Sequence, residues 1–445
     1  MRPSNLLVSE LQVSRPKILL LAYMISPRRG SEYAVAWNHV TWMSHHCDIT
    51  VLYGSAGAHM GDFDEMDGAT VREQLPGVRF VPVPPPPVAR WLNAANRRGW
   101  LTYTFYMAFR AWHVEAGRVA RTLLRESEFD LIHYLGPIGY REPGTLWKLD
   151  LPYVWGPIGG APNLSANLAA ALPLSGWLKL SFRALANWFQ LRYSLRVRRA
   201  LRRADVLLTA TSENQSIFER VHGVRSHYLP ENGVVGEVRL DTGKFEFMAP
   251  IRLIWIGRID AGKALKILVD AFARMRTTAS FEVHVVGDGP LRAKLQKYLS
   301  AIGMSDRFVW HGQVQRSIVE RLLDVSHLHV ITSVSEGNPT TIWEAMACGV
   351  PTLTIDHCGM RDTVQHPAGL KVPIGPYGTV VQGFADHLDA LADAPYRLRE
   401  MAESVIQEAN SYHWKHRPTF WLARYEDAKV VHSQRRGLTQ VVGSE

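Results

Sequence analysis

Short apolar runs, bounded by glycine, proline or polar clusters, recur along the whole chain. In the first half they are Lys17–Ala22, Asp48–Tyr53, 78–83, 130–134, the run opening at Tyr153, and 204–210. In the second half they are Ile251–Ile256, 281–287, a short strand ending in Trp310-His311-Gly312, 327–332 and the TLTI run after Pro351. Runs of this length that are apolar almost throughout suit strands buried on both faces of a parallel sheet. Segments with helical periodicity separate them, clearest up to Trp42, over 100–126, 381–392, 398–409 and 412–431. Strand and helix in alternation predict two α/β domains, each a doubly wound, Rossmann-like parallel sheet, facing a cleft. The boundaries drawn are 1–235, 236–410 and a closing 411–445, and residues 369–373 read as a hairpin-like segment.

Residues 334–351, VSEGNPTTIWEAMACGVP, carry the densest chemistry. Asn338 is a favoured N-cap and Pro339 suits the first helical position, where its missing N–H costs nothing. Gly349 and Pro351 end the helix. Glu336 then sits in the loop at the helix mouth and Glu344 on the helix, with seven residues between them. The free N–H groups at the helix mouth and the positive end of the dipole favour an anion beside Asn338, Pro339 and Thr340. An acid beside an anion site suits a ligand that is part phosphate and part polyhydroxyl, although a capped surface helix with a solvated glutamate has the same spacing. Upstream, Ile251–Ile256 runs into Gly257-Arg258-Ile-Asp-Ala-Gly-Lys263, two cations at a helix start that suit a diphosphate. After Lys17–Ala22, a loop with Gly30, Ser31 and Glu32 opens a helix and can also hold a phosphate. His133 stands at a strand end, where ligands of such sheets bind, although a lone histidine there is usually structural.

Length and composition set the bounds. A chain of 445 residues, 47% apolar and 20% charged, suits two domains with sizeable cores. Three cysteines without framework or CxxC spacing argue for a reducing, cytoplasmic setting and against structural zinc. No signal peptide and no membrane-spanning run are expected. Asp62 and Asp64 form an Asp-x-Asp pair in a glycine-rich, acidic loop, read as solvated, and no metal is expected. The net charge of +9 is uneven: residues before Pro230 hold 26 Lys and Arg against 17 Asp and Glu, leaving 24 of each beyond. Residues 178–203 hold eight cations and no acid, with Arg192, Arg196, Arg199 and Arg203 on one helical stripe. Two readings stay open: an amphipathic helix resting on anionic lipid, or a solvated basic face over a core stripe. Nucleic acid is not expected, since no recognition motif accompanies the charge.

The string EGNPTTIWEAMACGVP resembles the hallmark of the retaining glycosyltransferases of family 4, and the likeness extends through Arg258 and Lys263, the GDGP turn and the YVWGPIGG run. The resemblance implies the GT-B fold, with the last helix crossing back onto the first domain. It implies transfer of a sugar from a nucleotide-diphosphate sugar with the anomeric configuration kept, and with no metal or other cofactor. Glu336 would contact donor sugar hydroxyls, Glu344 the ribose, and Arg258 and Lys263 the diphosphate. Gly30 would face the cleft, and His133 would lie near the reacting centre. Several positions depart from the family pattern: Glu231 between Pro230 and Asn232, Val235 for aspartate, Ala264 for glycine and Thr332 for proline. The last is expected to leave the chemistry unchanged. The acceptor expected is a glycan or lipid-linked one in polysaccharide assembly. A natural-product acceptor, a same-fold epimerase or phosphorylase, and a non-catalytic membrane-surface protein are the alternatives.

Overall fold

The computed structural model describes residues 15–27, 30, 32–54, 75, 77–97, 104–163, 167, 174–246, 250–276, 281–334 and 336–442. The first part of the chain forms β1 (Lys17–Ala22), α1 (Glu32–Met43), β2 (Asp48–Tyr53), β3 (Val78–Pro82), α2 (Pro87–Arg97), α3 (Thr104–Glu126), β4 (Leu131–Gly136), β5 (Tyr153–Ile158), α4 (Leu174–Tyr193), α5 (Leu195–Arg203), β6 (Val206–Thr209), α6 (Ser212–His222) and β7 (His227–Tyr228). The second part forms β8 (Ile251–Ile256), α7 (Lys266–Phe272), β9 (Phe281–Val286), α8 (Arg292–Ala301), β10 (Phe308–Gly312), α9 (Arg316–Val325), β11 (Leu328–Ile331), α10 (Thr340–Ala347), β12 (Thr352–Ile355), α11 (Cys358–Thr363), β13 (Gly369–Val372), α12 (Tyr377–Asp393), α13 (Arg397–Ser411) and α14 (Arg417–Val442).

Two sheets result, ordered β3-β2-β1-β4-β5-β6-β7 and β10-β9-β8-β11-β12-β13. Paired strands run parallel throughout both. The period-two alternation of a strand divides each core into two layers. Leu19 and Leu21 of β1 pack with Phe109 and Trp112 of α3, whereas Ile18 and Leu20 pack with Val40 of α1 and with Trp421 and Tyr425 of α14. In both sheets the strand order reverses between the first strand and the fourth, at β1/β4 and at β8/β11. A doubly wound sheet binds ligands in the crevice outside such a reversal. The loops leaving β1, β4, β8 and β11 are therefore the ones to inspect.

Three local readings change. Residues 369–373 do not form a hairpin-like segment: Gly369–Val372 is a parallel edge strand in register with β12. The basic stretch is not one helix, because Ser194 breaks it and its Oγ accepts from Val197 N at 3.4 Å to cap α5. Arg192 thus belongs to α4 while Arg196, Arg199 and Arg203 belong to α5, and the single stripe dissolves. The closing helix runs from Arg417 to Val442, well past the 431 expected. Its Trp421, Tyr425 and Ala428 lie in the core of the first sheet. Where the chain leaves the first sheet, Val234 N donates to Tyr412 O at 3.2 Å and Trp414 N donates to Val234 O at 3.0 Å, so outgoing and returning segments pair. Asp62 and Asp64 lie outside the described residues. Among the described residues no helix is long and apolar enough to cross a membrane.

Candidate active site

The loop after β8 is fixed from both sides. Gly257 must be a close neighbour of Gly287, whose added Cβ would fall 2.0 Å from Gly257 O at a φ of +122°. Asp260 Oδ1 accepts from Lys263 N at 2.9 Å. The hydroxyl of Thr332, just past β11, donates to Lys263 O at 2.8 Å and itself accepts from the Trp255 indole at 2.9 Å. A proline in place of Thr332 could not supply this tie between the two switch-point loops. Ala264 has a left-handed φ of 49°, a conformation that explains why glycine serves better at this place.

These ties deliver Lys263 to Glu336. The Lys263 ammonium is ion-paired with Glu336 Oε2, and both side chains are partly buried. Arg258 lies on the same loop, 73% exposed, with its Nε 3.7 Å from Asp260. Helix α10 begins at Thr340, with Pro339 in extended conformation before it, one residue later than expected. Asn338 does not cap it: its Oδ1 accepts from the Trp343 indole at 2.9 Å, and its buried Nδ2 has no hydrogen-bond partner. The loop is pinned from below by α11, where an added Cβ on Gly359 would meet Gly337 O at 1.8 Å. Glu344, on the first turns of α10, faces Arg316 of α9 at 3.4 Å. Burial raises its carboxyl above the ordinary range, and the guanidinium of Arg316 opposes that rise. Arg316 went unnoticed in the sequence because α9 and α10 are joined only through β11.

The first domain meets this loop directly. Ile138, after β4, is 3.9 Å from where a Cβ on Gly337 would stand. Beside it lies a small hollow of about 10 Å³, lined by Met24, Glu32, Leu135, Ile138 and Glu231 among others. Burial raises the Glu32 carboxyl, opposed by a backbone hydrogen bond at Ile138. Burial also pushes Glu231 well above its ordinary range, helped by the negative charges of Glu32 and Glu336 and opposed by Arg417. Arg417 donates to the carbonyls of Glu231 and Asn232 and stacks 4.2 Å from the Trp414 ring. Neither Glu231 nor Arg417 was singled out from sequence as a site residue; the departure from the usual Pro-Asn-Gly-Val turn at Glu231 was the available signal. The domains are also joined at Ser212, whose backbone N donates to Asp362 Oδ2 at 2.8 Å.

His133 does not open onto the cleft. Its ring is fully buried under α14, with Nδ1 3.0 Å from the Tyr425 hydroxyl and Nε2 2.9 Å from Gly156 O. The Trp421 ring lies 4.8 Å away and closes the space above it. Burial lowers its pKa to about 4, so it is neutral and structural in this position. Only the returning helix, far along the chain, decides which side of β4 is covered. Gly30 is exposed in the loop after β1, and an added Cβ would meet nothing within 4 Å, so no close approach requires glycine there.

Two facing Rossmann-like sheets with this cleft between them define the GT-B glycosyltransferase architecture. Solved structures agree over nearly the whole chain. The lipopolysaccharide outer core galactosyltransferase WaaB superposes with a TM-score of 0.58 at 17% identity, covering 94% of this chain and 99% of that one. The UDP complex of HepE from Anabaena superposes with a TM-score of 0.55 at 16% identity, covering 96% and 100%. More particularly, residues 250–394 match the model of the family described as Glycosyl transferases group 1. Among curated relatives, a 2-deoxystreptamine N-acetyl-D-glucosaminyltransferase of Streptomyces fradiae is 27% identical over 66% of this chain and 70% of its own length. A lipopolysaccharide 1,6-galactosyltransferase of Salmonella typhimurium is 31% identical over 32% of this chain and 39% of its own. Several such alignments, this last included, span well under two thirds of the relative.

Proposed function

We propose that the chain is a retaining, metal-independent glycosyltransferase of the family 4 type, moving a sugar from a nucleotide-diphosphate sugar to an acceptor hydroxyl. The observation that carries this reading is the Lys263–Glu336 ion pair at the mouth of α10, inside the crevice between the sheets. Lys263, Arg258 and the backbone amides around Asn338 to Thr340 take up the charge that develops on the departing diphosphate, preorganised and partly shielded from water. Glu336, already engaged by a cation, grips sugar hydroxyls, and Glu344 with Arg316 receives the ribose. The bond from the anomeric carbon to the diphosphate breaks as the bond to the acceptor oxygen forms on the same face, and the acceptor proton leaves on a diphosphate oxygen. Glu336→Ala is expected to lower transfer at least about 100-fold with an unchanged melting temperature. Near-normal activity would refute the assigned role of Glu336.

The acceptor we favour is a glycan or lipid-linked one of polysaccharide assembly, met on the cytoplasmic side of a membrane. The Salmonella relative acts on lipopolysaccharide, and the three cysteines, all unpaired, fit a reducing compartment. A second reading, an amine-bearing natural product, draws on the Streptomyces relative and on the carboxylates of Glu32 and Glu231 beside the cleft.

A further inference from the structure

Helix α4 is turned inside out. At about 100° per residue, Asn187 and Leu191 fall on one side and are buried. Leu185, Trp188, Phe189 and Tyr193 fall on the opposite arc and are 64%, 41%, 58% and 58% exposed. Leu195, opening α5, extends the patch at 62% exposed. The side that faces the protein is held by polar bonds. Asn187 Oδ1 accepts from the Tyr140 hydroxyl at 2.6 Å and from Arg141 at 2.7 Å, and its Nδ2 donates to Ala161 O at 2.8 Å. The outward rings pack on one another, with the Phe189 and Tyr193 centroids 4.9 Å apart and Arg192 standing 4.8 Å from the Trp188 ring. Single exposed apolar residues are ordinary, but a contiguous aromatic patch marks an interface.

The charge around the patch selects what covers it. Arg183, Arg192, Arg198, Arg199 and Arg202 are all exposed beside it. Arg196 and Arg203, by contrast, are committed to Glu142 and Asp205. Residues 178–203 contain no acid at all. Two copies of this chain meeting through the patch would bring like charges together. An anionic bilayer instead offers phosphates to the arginines and an acyl boundary to the rings.

We propose that the outer face of α4 and α5 rests on an anionic membrane surface, with the helices lying in its plane. Through Asn187 this face is tied to Ala161, in the loop that leaves the carboxyl end of β5 at the cleft rim. A lipid-linked acceptor moving in the bilayer would thus reach the cleft without leaving the surface. That last step rests on the transfer reading above, whereas the docking does not.

The test is flotation of the full chain with vesicles containing phosphatidylglycerol and with vesicles of phosphatidylcholine alone. The chain is expected to float with the first, less so as salt rises, and to stay down with the second. Trp188→Ser with Phe189→Ser is expected to cut association with the first about tenfold or more, and Arg199→Gln about fivefold. Melting temperature and the thermal shift caused by nucleoside diphosphates should not change in either variant. Three outcomes would overturn the proposal: no flotation with either vesicle, flotation indifferent to the double substitution, or a sedimenting dimer that the same substitution dissociates. Loss of nucleotide binding with flotation intact would count against the transfer reading and leave the docking surface standing.

Discussion

The two switch points of this molecule share a topology and differ in chemistry. At β8/β11 the loops are tied together by Thr332, Asp260 folds the first of them, and they present cations, with Lys263 on Glu336 and Arg258 open to solvent. At β1/β4 the loops present half-buried acids, Glu32 and, from the linker, Glu231, above a sealed core of His39, His133 and Tyr425. Sheet order thus decides where a ligand can sit, and a handful of loop residues decides which ligand. The cationic side suits a diphosphate and the acidic side does not.

Glu336→Ala is the severest way to break this contrast, since it removes the ion-pair partner of Lys263, a carboxylate whose charge also acts on Glu231. The next effect falls on His133. If its ring is purely structural, His133→Phe leaves the Gly156 carbonyl unpaired and weakens the Tyr425 contact, at a cost of about 1–3 kcal/mol. Thermal melting should drop accordingly, while kcat/KM of the folded enzyme stays within about threefold. A large loss of kcat with an unchanged melt would put the ring back beside the substrate. The smallest effect concerns Glu231. A carboxyl raised in the folded state gives stability that is fully present below its ordinary value, 4.5, and that is lost as pH rises through the raised value. Glu231→Gln removes that loss. Its melting temperature should match the parent near pH 4 and exceed it at pH 8, by about 2–4 °C for each 1 kcal/mol recovered. Equal melts at both pH values would show that Glu231 carries no such penalty.

The strands were legible because each is a short apolar run, and the charged loop cluster at β8/β11 was legible because Arg258, Lys263, Glu336 and Glu344 fall within two loop–helix motifs. What escaped depended on distant segments. His133 has the spacing of a cleft residue, and only α14, nearly 300 residues further on, hides it. Asn338 has the chemistry of a cap, but the Trp343 indole claims its carbonyl oxygen, so the helix starts after Pro339. The periodicity of α4 is the same whether its aromatic arc faces in or out. The direction is set by Asn187 and its partners Tyr140, Arg141 and Ala161, which no local pattern reveals.

The central claim is that the crevice at β8/β11 grips a nucleotide diphosphate through its loop cations. Calorimetric titration of UDP, GDP and dTDP into the parent chain and into an Arg258→Ala, Lys263→Met double variant tests it most directly. At least one nucleotide should bind the parent, and the double variant should bind it at least about tenfold more weakly, a change of about 1.4 kcal/mol. No binding by the parent, or equal affinity in both chains, would contradict the account.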